Sequence, residues 1–267
     1  MESYATPIPL DRFDMQSLLA GLSKADVIAE PFPHIVARDV LDQELLGSLQ
    51  DEFPALESFP DHTDASNKRL NFNNAAAMKS DLVSSTWKTF LARNSDRDHL
   101  LHFIRVFGDH LKTAVPGAAR FVEMANRLPV GIKHVDGFDT ARVLLSSAID
   151  ANTPTTTEPS SVRGPHVDSG AKLWVGLFYL RDETTSEGGD LELYQLKPGH
   201  QLAGNVVNGS EIRPECLDLV KTVPYEPNTL FIGINSPASI HGVSPRQPTP
   251  HPRKFFSFYC DLPGRIF

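Results

Sequence analysis

Near residue 130 the periodicity of this chain changes, and that change constrains its fold more than any other feature. Before it, apolar residues recur at three- and four-residue spacing: Leu41, Leu45, Leu46, Leu49 and Phe53, with Asp42 placed to cap the helix they predict. The same spacing predicts helices over about 82–93 and 100–113, the latter with Phe103, Phe107 and Leu111 on one stripe. A short further segment closes at Met124, before Pro129. After residue 130 the chain breaks into short β-branched and aromatic runs separated by Gly, Pro and Asn. They lie near 142–148, 173–180, 190–194, 220–224, 229–234, 239–243 and 254–260. Seven such runs predict a sandwich or barrel. The expected organisation is mostly β with N-terminal helices: a helical support region over 1–129 and a β core over 130–267, within one integrated domain. Twenty-one prolines suit strands and loops better than helix interiors. Residues 150–163, rich in Thr, Ser and Pro, read as a loop and a candidate lid.

The bulk properties exclude several classes. A net charge of −8 and the lack of any Lys/Arg-rich run argue against nucleic acid as a partner. Two cysteines, Cys216 and Cys260, cannot form a disulfide framework, which predicts a reducing, cytoplasmic setting. Residues 1–14 have neither a basic n-region nor an apolar h-region, so no secretory signal is expected. No uncharged apolar window is long enough to span a membrane. The expected partner is therefore a small-molecule substrate. A protein or peptide side chain is the alternative, and acidic loops would then suit a basic peptide.

The chemistry-bearing residues are His166, Asp168 and His241. On a strand, His166 and Asp168 would share one face. Two imidazoles and one carboxylate hold non-heme Fe(II) with three coordination positions left open, whereas a structural zinc site recruits thiolate or a third His. His-x-Asp occurs twice, since His134-Val135-Asp136 repeats the tripeptide. That copy is followed by the turn-forming Gly137-Phe138-Asp139 and lacks the aromatic strand that follows His166. Arg253 stands twelve residues after His241. It could give a bidentate fork to the distal carboxylate of a metal-bound oxoacid. Lys254 is the alternative cation, and an ordinary surface charge the alternative role. Arg142, on the first predicted core strand, could also meet the co-substrate or an acidic substrate.

Other residues read more plainly. Trp174, Tyr179 and Tyr194 are expected in the core. Residues 68–74 are either a substrate-facing loop or a connector. His99, His102, His110, His200 and His251 are expected to be surface or core histidines, and both cysteines to pack as small apolar groups.

His166-x-Asp168, His241 and Arg253, with Gly188-Gly189-Asp190-Leu191 between them, resemble the 2-oxoglutarate and Fe(II)-dependent dioxygenase superfamily in its prolyl-hydroxylase-like branch. Pro31-Phe32-Pro33-His34-Ile35-Val36 followed by the helix from Asp42 is similar to the start of those proteins. The resemblance implies a double-stranded β-helix (jelly-roll, cupin-like) core buttressed by helices. It implies Fe(II), 2-oxoglutarate and O₂ as reagents, with ascorbate as an accessory reductant, and succinate and CO₂ as products. It assigns iron to His166, Asp168 and His241, and the distal carboxylate to Arg253. Two departures stand out. Phe255 occupies a position where many relatives carry a small hydroxyl residue, and the Thr-rich insertion before His166 is long. Asp168 favours hydroxylation over halogenation, because halogenating members replace that carboxylate. A non-enzymatic cupin-like metal-binding barrel remains the reading from another class.

Overall fold

The structure, a computed structural model, describes residues 15–115, 117–207 and 211–267; residues 1–14, read above for a signal, lie outside the described residues. Among the described residues five α-helices form, α1 (Gln43–Asp51), α2 (Asn74–Lys79), α3 (Ser85–Arg93), α4 (Arg97–Ala114) and α5 (Ala118–Met124), and a side-chain cap starts all but α5. Asp42 accepts a hydrogen bond from the Leu45 amide at 2.8 Å, Ser84 from Trp87 at 3.3 Å and Asp96 from His99 at 2.8 Å. Each cap satisfies an amide that the first helical turn leaves orphaned.

Twelve strands complete the fold: β1 (His34–Arg38), β2 (Arg69–Asn73), β3 (Val130–Ile132), β4 (Val143–Asn152), β5 (Lys172–Tyr179), β6 (Leu191–Leu196), β7 (Val206–Val207), β8 (Glu211–Ile212), β9 (Leu217–Val223), β10 (Thr229–Ile234), β11 (His241–Val243) and β12 (Arg253–Asp261). The large sheet runs β1-β10-β5-β12-β4-β2, with β3 parallel to β4 beside it, and the small sheet runs β11-β6-β9.

Alternation along β12 explains the layering. Phe256, Phe258 and Cys260 point to the helices, where Phe90 lies 4.8 Å from the Phe256 ring. Trp174 of β5 shares that face and stacks on Phe103 at 4.1 Å. The other face of the sheet carries Tyr179, Phe231 and Phe255, which pack against Leu191, Leu193 and Val223 of the small sheet. The site is built on this inner face.

Two expectations need correcting. β1 and β2 stand at the two ends of the large sheet, so residues before 130 supply sheet as well as helices. β1 does not alternate, whereas β2 does, with Leu70 and Phe72 buried between Arg69, Asn71 and Asn73. β4 also continues to Asn152, so Asp150, read as the start of a loop, is a strand residue that is fully buried. The rest of that loop is pinned rather than loose: Thr155 exchanges backbone hydrogen bonds with Thr249, and Ser160 with Arg246. Cys216 and Cys260 are both buried free thiols. Among the described residues, no helix is long and apolar enough to cross a membrane.

Candidate metal centre

His166 and Asp168 do not lie on a regular strand, contrary to expectation. His166 forms isolated bridges to His241 and to Glu211, and Asp168 follows in irregular backbone. Pairing with His241 aligns the site instead. The His166 amide donates to the His241 carbonyl at 2.8 Å, and the His241 amide donates back at 3.0 Å. Residues paired this way project side chains to one side, and the two imidazole centroids lie 4.4 Å apart.

Each imidazole is fixed in one tautomer. His166 Nδ1 lies 2.8 Å from the Gly164 carbonyl and His241 Nδ1 lies 3.0 Å from the Ser239 carbonyl. A carbonyl only accepts, so both Nδ1 atoms carry the proton and both Nε2 atoms present a lone pair. Those lone pairs meet Asp168, with His166 Nε2 at 3.9 Å from Oδ1 and His241 Nε2 at 3.8 Å from Oδ2. The ligating atoms all fall within 4.8 Å of one another. A metal about 2 Å from each ligand requires only a small inward closure.

Protonation favours ligation. Burial is the main cause that lowers the His166 pKa to about 3, assisted by the nearby His241 and Arg163. Burial likewise lowers His241, against the pull of Asp168. Burial alone would raise Asp168, but His241, Lys172, His166 and Arg163 together hold it well below the usual carboxylate range. Arg163 Nη1 is 3.3 Å and Lys172 Nζ 3.4 Å from Oδ1. At neutral pH the triad is thus two neutral imidazoles and a carboxylate, the states a metal requires.

Arg253 shares the same cavity of about 180 Å³ with the triad. It is 2% exposed, and its Nε donates to the Gly189 carbonyl at 2.8 Å. Its guanidinium sits in an aromatic cage, 4.9 Å from the Tyr179 and Tyr225 centroids and 4.8 Å from that of Phe255. Gly188 and Gly189 make this possible, with φ of +77° and +82°. A Cβ on Gly189 would come within 3.1 Å of Arg253 Cδ. Nη2 of Arg253 and the Tyr179 hydroxyl are buried without hydrogen-bond partners among the described residues. The guanidinium lies over the Tyr179 ring, near enough to act on its hydroxyl but outside hydrogen-bond geometry. Lys254 points away, to Asp182 and the Phe53 ring.

Arg142 is not part of this cavity. It precedes β4, is exposed, and lines another cleft with Phe121, Leu128 and Leu262. The second His-x-Asp also stays apart, since His134 and Asp136 are exposed in a turn and Asp136 accepts from the Ile132 amide. Tyr179 packs in the core as expected, and its hydroxyl also stands beside the Arg253 guanidinium. It lies on the same strand face as Val175 and Leu177, which line the cavity, so β5 alternation carried that signal. Tyr225 and Asp150 had no such signal.

No protein-family model and no curated protein matches the sequence. Solved structures do resemble it. A prolyl 4-hydroxylase from Phytophthora capsici is 15% identical with a TM-score of 0.45, over 86% of this chain and 59% of that one, so this chain spans under two thirds of that relative's length. A prolyl-4-hydroxylase from Pseudomonas putida is 9% identical with a TM-score of 0.42, over 86% and 93% of the two chains. The epimerase SnoN, solved with Fe³⁺, alpha ketoglutarate and nogalamycin RO, is 12% identical with a TM-score of 0.46, over 86% and 78%.

Proposed function

We propose that this protein is an Fe(II)- and 2-oxoglutarate-dependent oxygenase that hydroxylates an unactivated C–H bond of a small molecule of amino-acid or secondary-metabolite type. One observation carries the reading: the His166/Asp168/His241 triad shares a cavity with a buried arginine that has an unpartnered nitrogen. A barrel that only binds metal has no use for that cation, and burying it without a counter-charge is costly. When bound, iron with 2-oxoglutarate and O₂ supplies the oxidation of the C–H bond, with succinate and CO₂ as products.

The chain's own residues bind, orient and exclude water. His166, Asp168 and His241 would hold the metal from one side and leave the cavity side open. Arg253 Nη2 and the Tyr179 hydroxyl would receive the distal carboxylate. The Tyr179, Tyr225 and Phe255 rings keep water from that ion pair and so strengthen it. Phe255, the departure noted above, becomes one wall of the cage, and the Tyr179 hydroxyl replaces the missing small hydroxyl. Asp168 occupies the place a halide would need, in keeping with hydroxylation. The cavity of about 180 Å³ suits a small substrate better than a polypeptide side chain with its flanking backbone.

The test is an anaerobic titration with Fe(II) and 2-oxoglutarate. A weak visible metal-to-ligand band and, on admitting air, succinate release are expected. Failure of 2-oxoglutarate to bind the metal-loaded protein overturns the reading.

A further inference from the structure

The cavity's charge runs against that of the whole molecule. The chain carries a net charge of −8. Yet Arg69, Arg163, Lys172 and Arg253 all line this one cavity, and among the described residues Asp168 is its only lining carboxylate. A bound divalent metal adds further positive charge, and Arg253 is already assigned to 2-oxoglutarate. An unassigned cation therefore remains on the same sheet, two strands from Arg253, with Asn152 of β4 in register between them.

That cation is Arg69 on β2, and it is held in place. Its Nε donates to Asp150 Oδ1 at 3.0 Å and its Nη2 to Ser257 Oγ at 3.2 Å, while the guanidinium lies 5.3 Å from the Phe255 centroid. Asp150 is fully buried and also accepts from Asn71 Nδ2 at 2.8 Å and from the Ser257 hydroxyl. Burying a carboxylate completely in order to steady an arginine that is still 45% exposed is a costly arrangement for a mere surface charge. It is the arrangement expected of an anchor behind a ligand-binding group. Arg69 Nη1 makes no hydrogen bond to the described residues.

We infer that the substrate of this site is a small acid, whose carboxylate is received by Arg69 on the β2 wall. The inference rests on the proposed oxygenase reading, which assigns Arg253 to the co-substrate. A planar guanidinium matches a carboxylate in shape as well as charge. The cationic wall disfavours a substrate of net positive charge, a simple amine or a basic peptide, the latter being the partner that an acidic groove would have suited. Lys172 and Arg163 stand beside Asp168 on the metal side and add to the field that draws in an anion.

The test measures binding, not turnover. Protein loaded with Zn(II) and saturating 2-oxoglutarate is titrated with 3,3,3-trifluoropropionate, its primary amide and 3,3,3-trifluoropropylammonium, followed by ¹⁹F NMR. The acid is expected to bind at least ten-fold more tightly than either analogue. Arg69→Gln should weaken the acid at least ten-fold, whereas Arg253→Gln should weaken 2-oxoglutarate instead. No binding of the acid, equal binding of the amide or ammonium, or an unchanged acid affinity in Arg69→Gln overturns the inference. If Arg69→Gln does not fold, Arg69→Lys keeps a charge beside Asp150 but loses the planar fork. It should weaken the acid at least three-fold, and no change again overturns the inference. If 2-oxoglutarate itself does not bind, the oxygenase reading fails separately, and the acid series is then read on the Zn(II)-loaded protein alone.

Discussion

His166 and His241 exchange both backbone hydrogen bonds, at 2.8 and 3.0 Å, and this single bridge brings two distant parts of the chain into one ligand set. The bridge needs close backbone approach beside it. A Cβ on Gly242 would lie 3.0 Å from Pro165 N and 3.1 Å from Gly164 C. Gly242→Ala should therefore push the two histidines apart. Mn(II) affinity, followed by electron paramagnetic resonance, is expected to fall at least ten-fold, and an unchanged affinity would show that the bridge does not set the metal geometry.

Asp168→Ala should abolish Mn(II) binding and turnover while leaving the fold intact. Asp168 lies among Arg163 and Lys172, whose side chains are 40% and 22% exposed and can be hydrated once it is gone. No apolar core packing depends on it. Circular dichroism and the melting temperature should stay close to wild type. Loss of the folded signal would make Asp168 a structural residue.

The candidate triad was legible because its chemistry is rare and its spacing to Arg253 gave a second check. Its geometry was not. Strand alternation was the expected reason for pairing His166 with Asp168, whereas a long-range bridge to His241 does the aligning. The helices were legible because Asp42 and the Leu45/Leu46/Leu49 stripe are local signals. β2 carried a signal that the polar composition of 68–74 masked: Arg69-Leu70-Asn71-Phe72-Asn73 alternates polar and apolar residues, as a half-buried strand does. Asp150 was hidden because a carboxylate at the end of an apolar run reads as the start of a loop.

Tyr179→Phe separates stability from binding. The hydroxyl is buried without a hydrogen-bond partner among the described residues, a state that costs about 1–3 kcal/mol. Removing it should leave the melting temperature unchanged or raise it, while 2-oxoglutarate binds at least five-fold more weakly. A stability loss in denaturant titrations would mean that the hydroxyl has a partner in the free protein.

Gly189→Ala should act on the co-substrate pocket rather than on the metal. Its Cβ would crowd Arg253 Cδ and also Arg246 Cγ at 3.0 Å, and φ of +82° disfavours any side chain there. The half-saturating 2-oxoglutarate concentration should rise about ten-fold, with Mn(II) affinity changed less than two-fold. Equal losses in both would point to collapse of the whole cavity.

His99 supplies a pH dependence far from the metal. It is buried on α4, Nδ1 meets Ser17 Oγ at 2.8 Å, and its ring stands edge-on to Phe258 at 5.0 Å. Burial lowers its pKa from 6.5 to about 3. The unfolded chain therefore binds this proton below about pH 6.5, while the folded chain refuses it until about pH 3. The contribution to stability is complete above pH 6.5 and is lost progressively as the pH falls toward 3. Between pH 7 and pH 5 the loss is about 2 kcal/mol. His99→Phe keeps a ring against Phe258 and removes the titration. In urea denaturation the variant should lose about 2 kcal/mol less than wild type between those two pH values. Equal losses would mean that folding leaves the His99 pKa unchanged.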